Sequence, residues 1–275
     1  MATATESARM WTRDSLADHF EISVLPQSNR SGEPLPSERG LSESLGVSRS
    51  LVREVLRGLE QRGLLEIVPG KGAYARTPST TEVARAMRAA YSASNATARH
   101  LVEARITVET HTAMLAAKHA TPSDLAAIRQ ALEDFNRADG LVAKAMADIA
   151  FHSLVARASH NPVLSTFFDS ISTLVLEAML LSLVDTAARV RSIPLHSAVL
   201  TAIEDGDAEA AGDAMSRHIR QTESTSHDDT LEHLRRLAAE VLQRTYGQTM
   251  PLEQIVADAL DPYAGTFTAR EDELR

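Results

Sequence analysis

The spacing of apolar residues near the N-terminus first predicts a short helix. Leu41 and Leu45 lie four residues apart, which places them on one face of a helix over Ser37–Leu45. Pro36 fits the first turn of this helix, because a missing N–H breaks no intrahelical hydrogen bond there. Gly46 follows the last apolar residue and is expected to end the helix.

A second helix is predicted directly after it, with Ser48 as its N-cap. Its apolar residues recur at spacings of three and four and so form one stripe, made of Val52, Val55, Leu56 and Leu59. A separate face carries arginines one turn apart, at Arg49, Arg53 and Arg57. Gly63 is expected to close this helix, which would bury one face and present guanidinium groups on another.

Two short β-prone runs come next, at Leu64–Val68 and Ala73–Ala75. The four residues between them, Pro69-Gly70-Lys71-Gly72, have the composition of a tight hairpin turn. The order of helix, turn, helix and two-stranded hairpin predicts a winged helix-turn-helix.

Beyond residue 100, nearly all apolar positions follow the spacing of amphipathic helices. Their sequence predicts about six helices with short connections, which is the pattern of an all-α bundle. The expected helices are Leu101–Lys118, one that starts at Pro122 after a Thr121 N-cap, Leu141–Ser159, Pro162–Val184, Ser192–Glu204 and one from Asp207 to His218. Two further helices, over Leu231–Leu242 and Pro251–Leu260, are expected to pack against the bundle or a dimer partner. The predicted fold class is mainly α, with an N-terminal winged helix-turn-helix and a C-terminal all-α helical bundle.

The net charge of −9 is distributed unevenly along the chain. It indicates possible partners only when the N-terminal and C-terminal parts are counted separately. Residues 1–77 hold 10 Lys/Arg and 10 Asp/Glu, whereas residues 78–275 hold 18 and 27. An acidic chain is a poor first candidate for nucleic-acid binding, but the segment Ser48–Arg76 is locally basic. Such asymmetry indicates a different partner for each part of the chain.

The absence of cysteine excludes a disulfide scaffold, a Cys-ligated zinc site and a cysteine nucleophile. The first 15 residues contain no apolar run of the kind found in a signal peptide. Uncharged runs such as Ser192–Ile203 fall short of the ~20 residues that a membrane span needs. The expectation is a soluble cytoplasmic protein with no membrane partner.

The predicted second helix of the N-terminal part has the properties of a DNA-recognition helix. A helix with a buried apolar face and outward arginines fits the major groove, where one arginine can discriminate a guanine by ~1–3 kcal/mol. Ser48 and Ser50 can bond phosphates or bases, Gly70 and Gly72 let the hairpin backbone approach DNA, and Lys71 can reach a groove or a phosphate. Taken alone, a row of arginines is more often a solvated helix face, but the order of elements favours DNA.

Four polar residues lie in or beside the apolar stripes of the bundle: Asp148, His152, His196 and His218. Asp148 and His152 are one turn apart on one predicted helix, and two further helices supply the other two residues. One carboxylate and three imidazoles suit a borderline divalent metal ion. The alternatives are a surface ion pair for Asp148 with His152 and hydrogen-bonded core residues for the remaining histidines.

The N-terminal part resembles the GntR family of bacterial transcription regulators from Gly32 to Ala75. The segments that carry the resemblance are Leu35-Pro36-Ser37-Glu38-Arg39, Leu41–Arg49, Val52-Arg53-Glu54-Val55-Leu56, Gly63-Leu64-Leu65 and Pro69-Gly70-Lys71-Gly72. The resemblance implies a set of DNA-contacting residues, namely Arg39, Ser48, Arg49, Ser50, Arg53, Gly70 and Lys71.

The C-terminal part is similar to the FCD domain of the FadR subfamily within GntR. The matching segments include Leu101-Val102-Glu103-Ala104-Arg105 with Glu109, Leu115-Ala116-Ala117, Asp148 to His152, Asn161-Pro162, His196 and Gly206 to His218. The resemblance implies that Asp148, His152, His196 and His218 bind zinc, nickel, manganese or a similar divalent ion, with open positions for water or a small carboxylate effector. Arg105 matches the effector-anchoring arginine, since a guanidinium can bind a carboxylate through two hydrogen bonds. An ion pair with Glu109 is the alternative role of Arg105.

These observations divide the chain into four parts. They are a DNA-binding winged helix-turn-helix over 10–77, a linker and connecting helix over 78–99, an effector- and metal-binding domain over 100–228 and a helical extension over 229–275. The leading hypothesis is a homodimeric transcription regulator, most often a repressor in this family, that reads a palindromic operator in double-stranded DNA and responds to a small carboxylate. The alternatives are a metal-dependent hydrolase with His160 or Glu177 as its base, and a regulator whose metal is purely structural.

Overall fold

The computed structural model describes residues 11–76, 80–92, 94–184, 186–222, 229–247 and 251–264. Helices account for most of these residues, and the sheet found among them has only two strands. The chain divides into two compact units between Glu82 and Val83. The mainly α fold class that the apolar spacing predicts is confirmed.

Between residues 11 and 76, the first unit contains four α-helices, a π-helical turn and a hairpin. In chain order they are α1 (Arg13–His19), the π-helical turn Phe20–Val24, α2 (Leu25–Ser31), α3 (Glu38–Leu45), α4 (Arg49–Gln61), β1 (Leu65–Val68) and β2 (Gly72–Ala75). The strands are antiparallel, with Leu65 opposite Ala75 and Val68 opposite Gly72. The predicted winged helix-turn-helix is therefore present, and its apolar stripe on α4 is buried with Leu41 of α3 in one core.

The start of α3 differs from its prediction. Ser37 is the N-cap and accepts a hydrogen bond from the Gly40 backbone N–H, so Pro36 precedes the helix and does not occupy its first turn. The N-cap role of Ser48 on α4 is confirmed by its hydrogen bond from the Leu51 N–H at 3.2 Å. Gly46 adopts a left-handed conformation, with φ of +66°, and ends α3 as expected.

The helices before α3 were not predicted. Thr12 and Ser15 form a reciprocal capping box at the start of α1, and Leu16 and Phe20 are buried one turn apart. A serine at the fourth position of this box is a weaker signal than the usual glutamate or glutamine. The periodic pattern of apolar residues that identifies α4 extends over too few residues in each of these three short helical segments to predict them.

The remaining helices begin with α5 (Thr80–Ser92), which spans the division between the units. The second unit continues with α6 (Ala98–His119), α7 (Pro122–Arg137), α8 (Leu141–Ala158), α9 (Pro162–Val184), α10 (Thr186–Glu204), α11 (Ala208–Thr222), α12 (Leu231–Tyr246) and α13 (Leu252–Leu260). All the helices predicted beyond residue 100 are present, but α10 starts at Thr186 rather than Ser192. Pro194 consequently lies inside α10, where its ring removes a backbone hydrogen bond.

Helix α9 lies at the centre of the second unit and packs against α6, α8, α12 and α13. By length and by a mean hydropathy of 1.7 it could cross a membrane, but 67% of its most apolar window is buried within the protein. The prediction from the sequence concerned uncharged runs only, and α9 is not one of them because it includes Asp169 and Glu177. A long buried helix is also what the centre of a helical bundle requires, so one such helix is weak evidence for a membrane.

The C-terminal helices α12 and α13 belong to the bundle core. Thr97 and Thr230 form an isolated antiparallel bridge, flanked by backbone hydrogen bonds from Ala98 N to Asp229 O and from Leu231 N to Ala96 O, both 2.9 Å. The apolar faces of both helices are buried in the same cluster as the rest of the unit, through residues such as Leu234, Leu242, Ile255 and Leu260. The extension thus packs on the bundle of its own chain.

Replacement of Thr121 by alanine is expected to lower the free energy of unfolding by about 0.5–2 kcal/mol, because the N-cap of α7 is lost. Thr121 Oγ1 accepts from the Asp124 N–H at 3.2 Å, and Asp124 Oδ2 accepts from the Thr121 N–H at 2.8 Å. Urea unfolding monitored by circular dichroism measures the effect. Thr121→Ser retains the hydroxyl and should stay close to the wild type, and an equal loss in both variants would contradict the capping role.

Candidate metal centre and nucleic-acid interface

The predicted DNA-contacting arginines of the first unit lie mainly on one face of α4. Its apolar stripe is buried against the rest of the unit, and Arg49, Arg53 and Arg57 are exposed. The arginines therefore lie on the solvent side of the helix, as their spacing predicts. Ser48 Oγ lies 3.0 Å from Ser50 Oγ at the N-terminus of the same helix, which is the end that meets base edges in helix-turn-helix proteins.

Two of the predicted DNA-contacting arginines form ion pairs in the protein alone. Arg53 binds Glu38 of α3 through both nitrogens of one edge, with Nη2–Oε2 at 2.7 Å and Nε–Oε1 at 3.0 Å. The hydrogen bond from Arg53 lowers the pKa of Glu38. Arg39 pairs with Glu43 one turn along α3, at 2.8 Å. Exposed ion pairs of this kind contribute little net stability. A DNA phosphate or a guanine can therefore replace Glu38 or Glu43 as the hydrogen-bond acceptor of the arginine.

The hairpin between β1 and β2 carries the remaining predicted contacts, Gly70 and Lys71. Both are exposed, and Gly70 has a φ of +75°, a conformation that a residue with a Cβ adopts only under strain. The seven predicted residues thus lie on α3, on the N-terminal half of α4 with its cap, and on the hairpin turn.

Arg49→Ala and Arg53→Ala should each weaken operator binding by about 1–3 kcal/mol, or about 5- to 150-fold, and relax sequence preference. Fluorescence anisotropy with an operator fragment and a random duplex gives the two affinities. Arg62→Ala is the matched control, since it removes the same charge from the C-terminal end of α4, where Arg62 pairs with Glu21 at 2.6 Å. An equal loss in the control variant would mean that overall charge, not base contact, drives binding.

The second unit brings the four predicted metal-ligating residues together. Asp148 and His152 lie on α8, His196 on α10 and His218 on α11, and all four are buried. One donor atom from each residue lies within 4.8 Å of the others. The Nε2 atom of His196 is 2.9 Å from Asp148 Oδ1, and that of His152 is 3.0 Å from His218 Nε2.

Two phenylalanine rings pack directly against the histidines of this cluster. Phe151 of α8 meets His196 edge to face, with ring centroids 4.8 Å apart, and meets His152 in the same way at 5.6 Å. Phe135 of α7 packs against His196 at 4.9 Å. These contacts restrict the rotation of the imidazoles and keep bulk water away from their nitrogens.

The electrostatics at two residues of the cluster, His218 and Asp148, favour the deprotonated states that a metal ligand needs. Burial lowers the pKa of His218 well below its usual range, and the neighbouring His196, His152 and Arg105 lower it further. Burial alone would raise the pKa of Asp148, but His196, His152 and Arg105 outweigh it and the pKa is lowered. His218 is therefore neutral and Asp148 ionised near neutral pH, and metal ligands must be deprotonated in this way.

Glu109 is a buried member of the site; the sequence placed it in the FCD resemblance and as a possible partner of Arg105, but gave it no role at the metal centre. Its Oε1 accepts from Arg105 Nε at 2.6 Å, and its Oε2 is hydrogen-bonded to His152 Nδ1. Burial alone would raise the pKa of Glu109, but Arg105 and His152 together lower it to about 2. The four-residue spacing of Arg105 and Glu109 predicts their ion pair from the sequence. The contact of Glu109 with His152 joins α6 to α8, so no pattern within either helix predicts it.

The residues present fit a divalent metal ion. The set of donors is three imidazole nitrogens and one carboxylate oxygen, which suits zinc and its neighbours. The Nε2 atoms of His152 and His218 lie 3.0 Å apart, so at most one of them can carry a proton. When neither carries a proton, a cation bound between them would accept the lone pairs of both. The predicted cluster is thus assembled in the structure, and its occupancy by an ion stays a proposal.

The two residues considered as a hydrolytic base lie outside the cluster. His160 Nε2 is hydrogen-bonded to Asp124 Oδ2 at 2.8 Å, at the start of α7. Glu177 of α9 is buried near Arg88 and Arg235, and burial raises its pKa to about 8. Neither residue supplies a donor to the four-residue group, so the arrangement expected of a metal hydrolase is not found among the described residues.

Two family profiles match the chain. One, described as "Bacterial regulatory proteins, gntR family", covers residues 12–74, and the other, described as "FCD domain", covers residues 100–221. The HTH-type transcriptional regulator LutR of Bacillus subtilis is 33% identical over 201 residues, which are 70% of this chain and 90% of LutR. The Glc operon transcriptional activator of Escherichia coli K12 is 29% identical over 235 residues, 81% of this chain and 92% of that protein. The galactonate operon transcriptional repressor of the same strain is 33% identical over 192 residues, 66% and 82% of the two chains.

Among solved structures, a Streptococcus agalactiae GntR protein superposes with a TM-score of 0.60 and 24% identity, over 78% of this chain and 100% of that chain. This likeness supports the fold. The relatives are transcriptional regulators, so the chain is not an enzyme and the hydrolase alternative is not supported. The chain belongs to the GntR family of bacterial regulatory proteins, and it is a DNA-binding transcriptional regulator that carries an FCD domain.

Proposed function

We propose that this regulator senses a small carboxylate metabolite at a divalent metal ion held by Asp148, His152, His196 and His218. The observation that carries the proposal is the convergence of four buried donor atoms from three helices. The bundle supplies a water-poor setting in which a charged ligand and a cation attract each other more strongly than at the surface. Zinc, nickel and manganese are the candidate ions.

Arg105 is the proposed anchor of the carboxylate. Its guanidinium is buried on α6 and lies close enough to lower the pKa of both Asp148 and His218. A carboxylate placed between the metal ion and this guanidinium would have both of its oxygens bound. The bound ion would supply the positive charge and the Lewis acidity that hold one oxygen, and Arg105 would orient the other.

We further propose that the protein acts as a homodimer of the FadR type that reads a palindromic operator. Two copies of the winged helix-turn-helix related by a twofold axis would contact two half-sites. Repression is the proposed mode of action, although one relative is named an activator and another a repressor. A bacterial operon regulator of this type is expected in the cytoplasm.

The decisive experiment combines metal analysis with a screen of ligands. The protein as purified is analysed for bound metal, and thermal unfolding is then followed with a panel of carboxylates that includes galactonate, other sugar acids and dicarboxylates. A metal content near one ion per chain, with a carboxylate that raises the unfolding temperature only in the metal-loaded protein, is the expected result. A site that stays empty in buffers with divalent ions would contradict the proposal.

Operator binding then tests regulation directly. Footprinting on the DNA upstream of the gene should show a protected palindrome, and the active carboxylate should change the affinity by about 5- to 150-fold, the usual range of coupling between two sites. No protected palindrome at low salt, with or without the carboxylate, would contradict the proposed operator.

A purely structural metal is the second candidate. Four protein ligands complete the tetrahedral shell of zinc, which then has no open position, whereas an ion with a higher coordination number retains positions for a carboxylate. Stabilisation by metal without any response to carboxylates would favour this candidate.

A further inference from the structure

A buried chain of hydrogen bonds leads from α6 to the proposed metal centre. Arg105 Nε donates to Glu109 Oε1 at 2.6 Å, and Glu109 Oε2 is hydrogen-bonded to His152 Nδ1. The three residues are exposed by only 7%, 1% and 1% respectively. A single carboxylate therefore bridges the proposed carboxylate anchor and one of the proposed metal ligands.

The contact with Glu109 determines how the ring of His152 is used. An ionised carboxylate only accepts hydrogen bonds, so Nδ1 of His152 must carry a proton to bond with it. In a neutral imidazole the lone pair then resides on Nε2. That atom lies 3.0 Å from His218 Nε2 and 3.6 Å from Asp148 Oδ1, inside the group of donors.

We propose that Glu109 is a positioning residue that holds His152 with Nε2 toward the metal and at the same time holds Arg105 at the same site. The inference rests on the proposed metal-dependent function and extends it to the neighbouring helix. One carboxylate oxygen of Glu109 bonds to Arg105 on α6 and the other bonds to His152 on α8. The orientations of the proposed carboxylate anchor and of the metal ligand therefore depend on the same side chain. Carboxylates that orient metal-bound histidines are a recurring feature of protein metal sites.

The guanidinium of Arg105 has a further N–H group available for an anion. Its Nη2 atom is buried and makes no hydrogen bond to any described residue, whereas Nε is committed to Glu109. A buried donor without a partner carries an energetic cost that a bound carboxylate oxygen would remove. Glu109 thus fixes which edge of Arg105 remains for a carboxylate ligand.

The test compares Glu109→Gln with a matched control in full-length protein stripped of metal. The probe is Zn²⁺, and its affinity is measured by competition with a chromophoric chelator. Glu109→Gln should bind Zn²⁺ about 10- to 100-fold more weakly than the wild type, the usual effect of removing such a partner. Glu177→Gln replaces another buried glutamate of the unit and should stay within about twofold, because Glu177 contributes no donor to the group of four.

A spectroscopic readout separates positioning from general destabilisation. Long-range ¹H–¹⁵N spectra of histidine-labelled protein should show the Nδ1–H form of His152 in the wild type and in Glu177→Gln. Glu109→Gln should give a mixture of both tautomers, since a neutral amide can donate as well as accept. Thermal unfolding of the metal-free variants establishes that they are folded.

Folded Glu109→Gln protein with wild-type Zn²⁺ affinity and an unchanged His152 tautomer would overturn the inference. If this variant does not fold, Glu109→Asp keeps the charge but is one methylene too short to span both partners. It should also lose Zn²⁺ affinity, and an unchanged affinity would overturn the inference equally. Wild-type protein that binds no Zn²⁺ would instead overturn the proposed metal function, together with the role of Glu109.

Discussion

Addition of Zn²⁺ to the metal-stripped protein is expected to raise its unfolding temperature by about 8–16 °C. An ion that binds the converged donors of the folded protein, and not the dispersed ligands of the unfolded chain, would add roughly 4.1 kcal/mol of stability at a free concentration of about 1,000 times Kd. Each kcal/mol shifts the midpoint by about 2–4 °C for a unit of this size. Scanning calorimetry over a series of Zn²⁺ concentrations measures the shift.

The control for this prediction separates the cluster from adventitious binding. His196→Ala removes the only proposed ligand on α10 and should abolish most of the shift. His111→Ala removes an exposed histidine of α6 and should retain the full shift. A shift of equal size in the His196 variant would place the ion elsewhere in the protein.

Phe151→Ala is expected to lower the free energy of unfolding by about 3–5 kcal/mol, the usual cost of deleting a buried phenyl ring. Phe151 is 1% exposed and lies in the apolar core of the second unit. Its ring also contacts the imidazoles of His152 and His196, so the cavity left behind would free both to rotate. Phe151→Leu keeps most of the apolar volume and should lose considerably less, as urea unfolding would show.

A second phenylalanine distinguishes loss of stability from loss of the site. Phe168 of α9 is fully buried but makes no ring contact with the cluster histidines among the described residues. Phe168→Ala should therefore destabilise the protein to a similar extent and leave Zn²⁺ affinity near that of the wild type. Phe151→Ala should weaken Zn²⁺ binding, and identical Zn²⁺ affinities in the two folded variants would show that the ring of Phe151 does not hold His196 in place.

The first unit was predictable where its signals are local. The N-cap Ser48, the left-handed Gly46 and the glycine-containing turn at Gly70 act within a few residues, so the sequence alone identifies α3, α4 and the hairpin. The ion pair between Arg53 and Glu38 is different, because it depends on the angle between two helices. No pattern within either helix encodes that angle.

The metal centre shows the same limit. The spacing of Asp148 and His152 places both on one face of α8, which sequence reasoning can derive. The approach of His196 and His218 depends on how α10 and α11 pack, so only the residue types and the family resemblance suggested it. Glu109 was not identified as a site residue because its contact with His152 crosses from α6 to α8.

The antiparallel bridge between Thr97 and Thr230 has a consequence for the limits of the domain. The family match ends at residue 221, yet the chain beyond it returns to pair with the residues just before α6 and to cover α9 with α12 and α13. The segment matched by the FCD profile is therefore shorter than the apolar core that packs around α9. A chain shortened to the boundary of this profile would leave the apolar surfaces of α8 and α9 open to water, so a truncation for expression should keep α12 and α13.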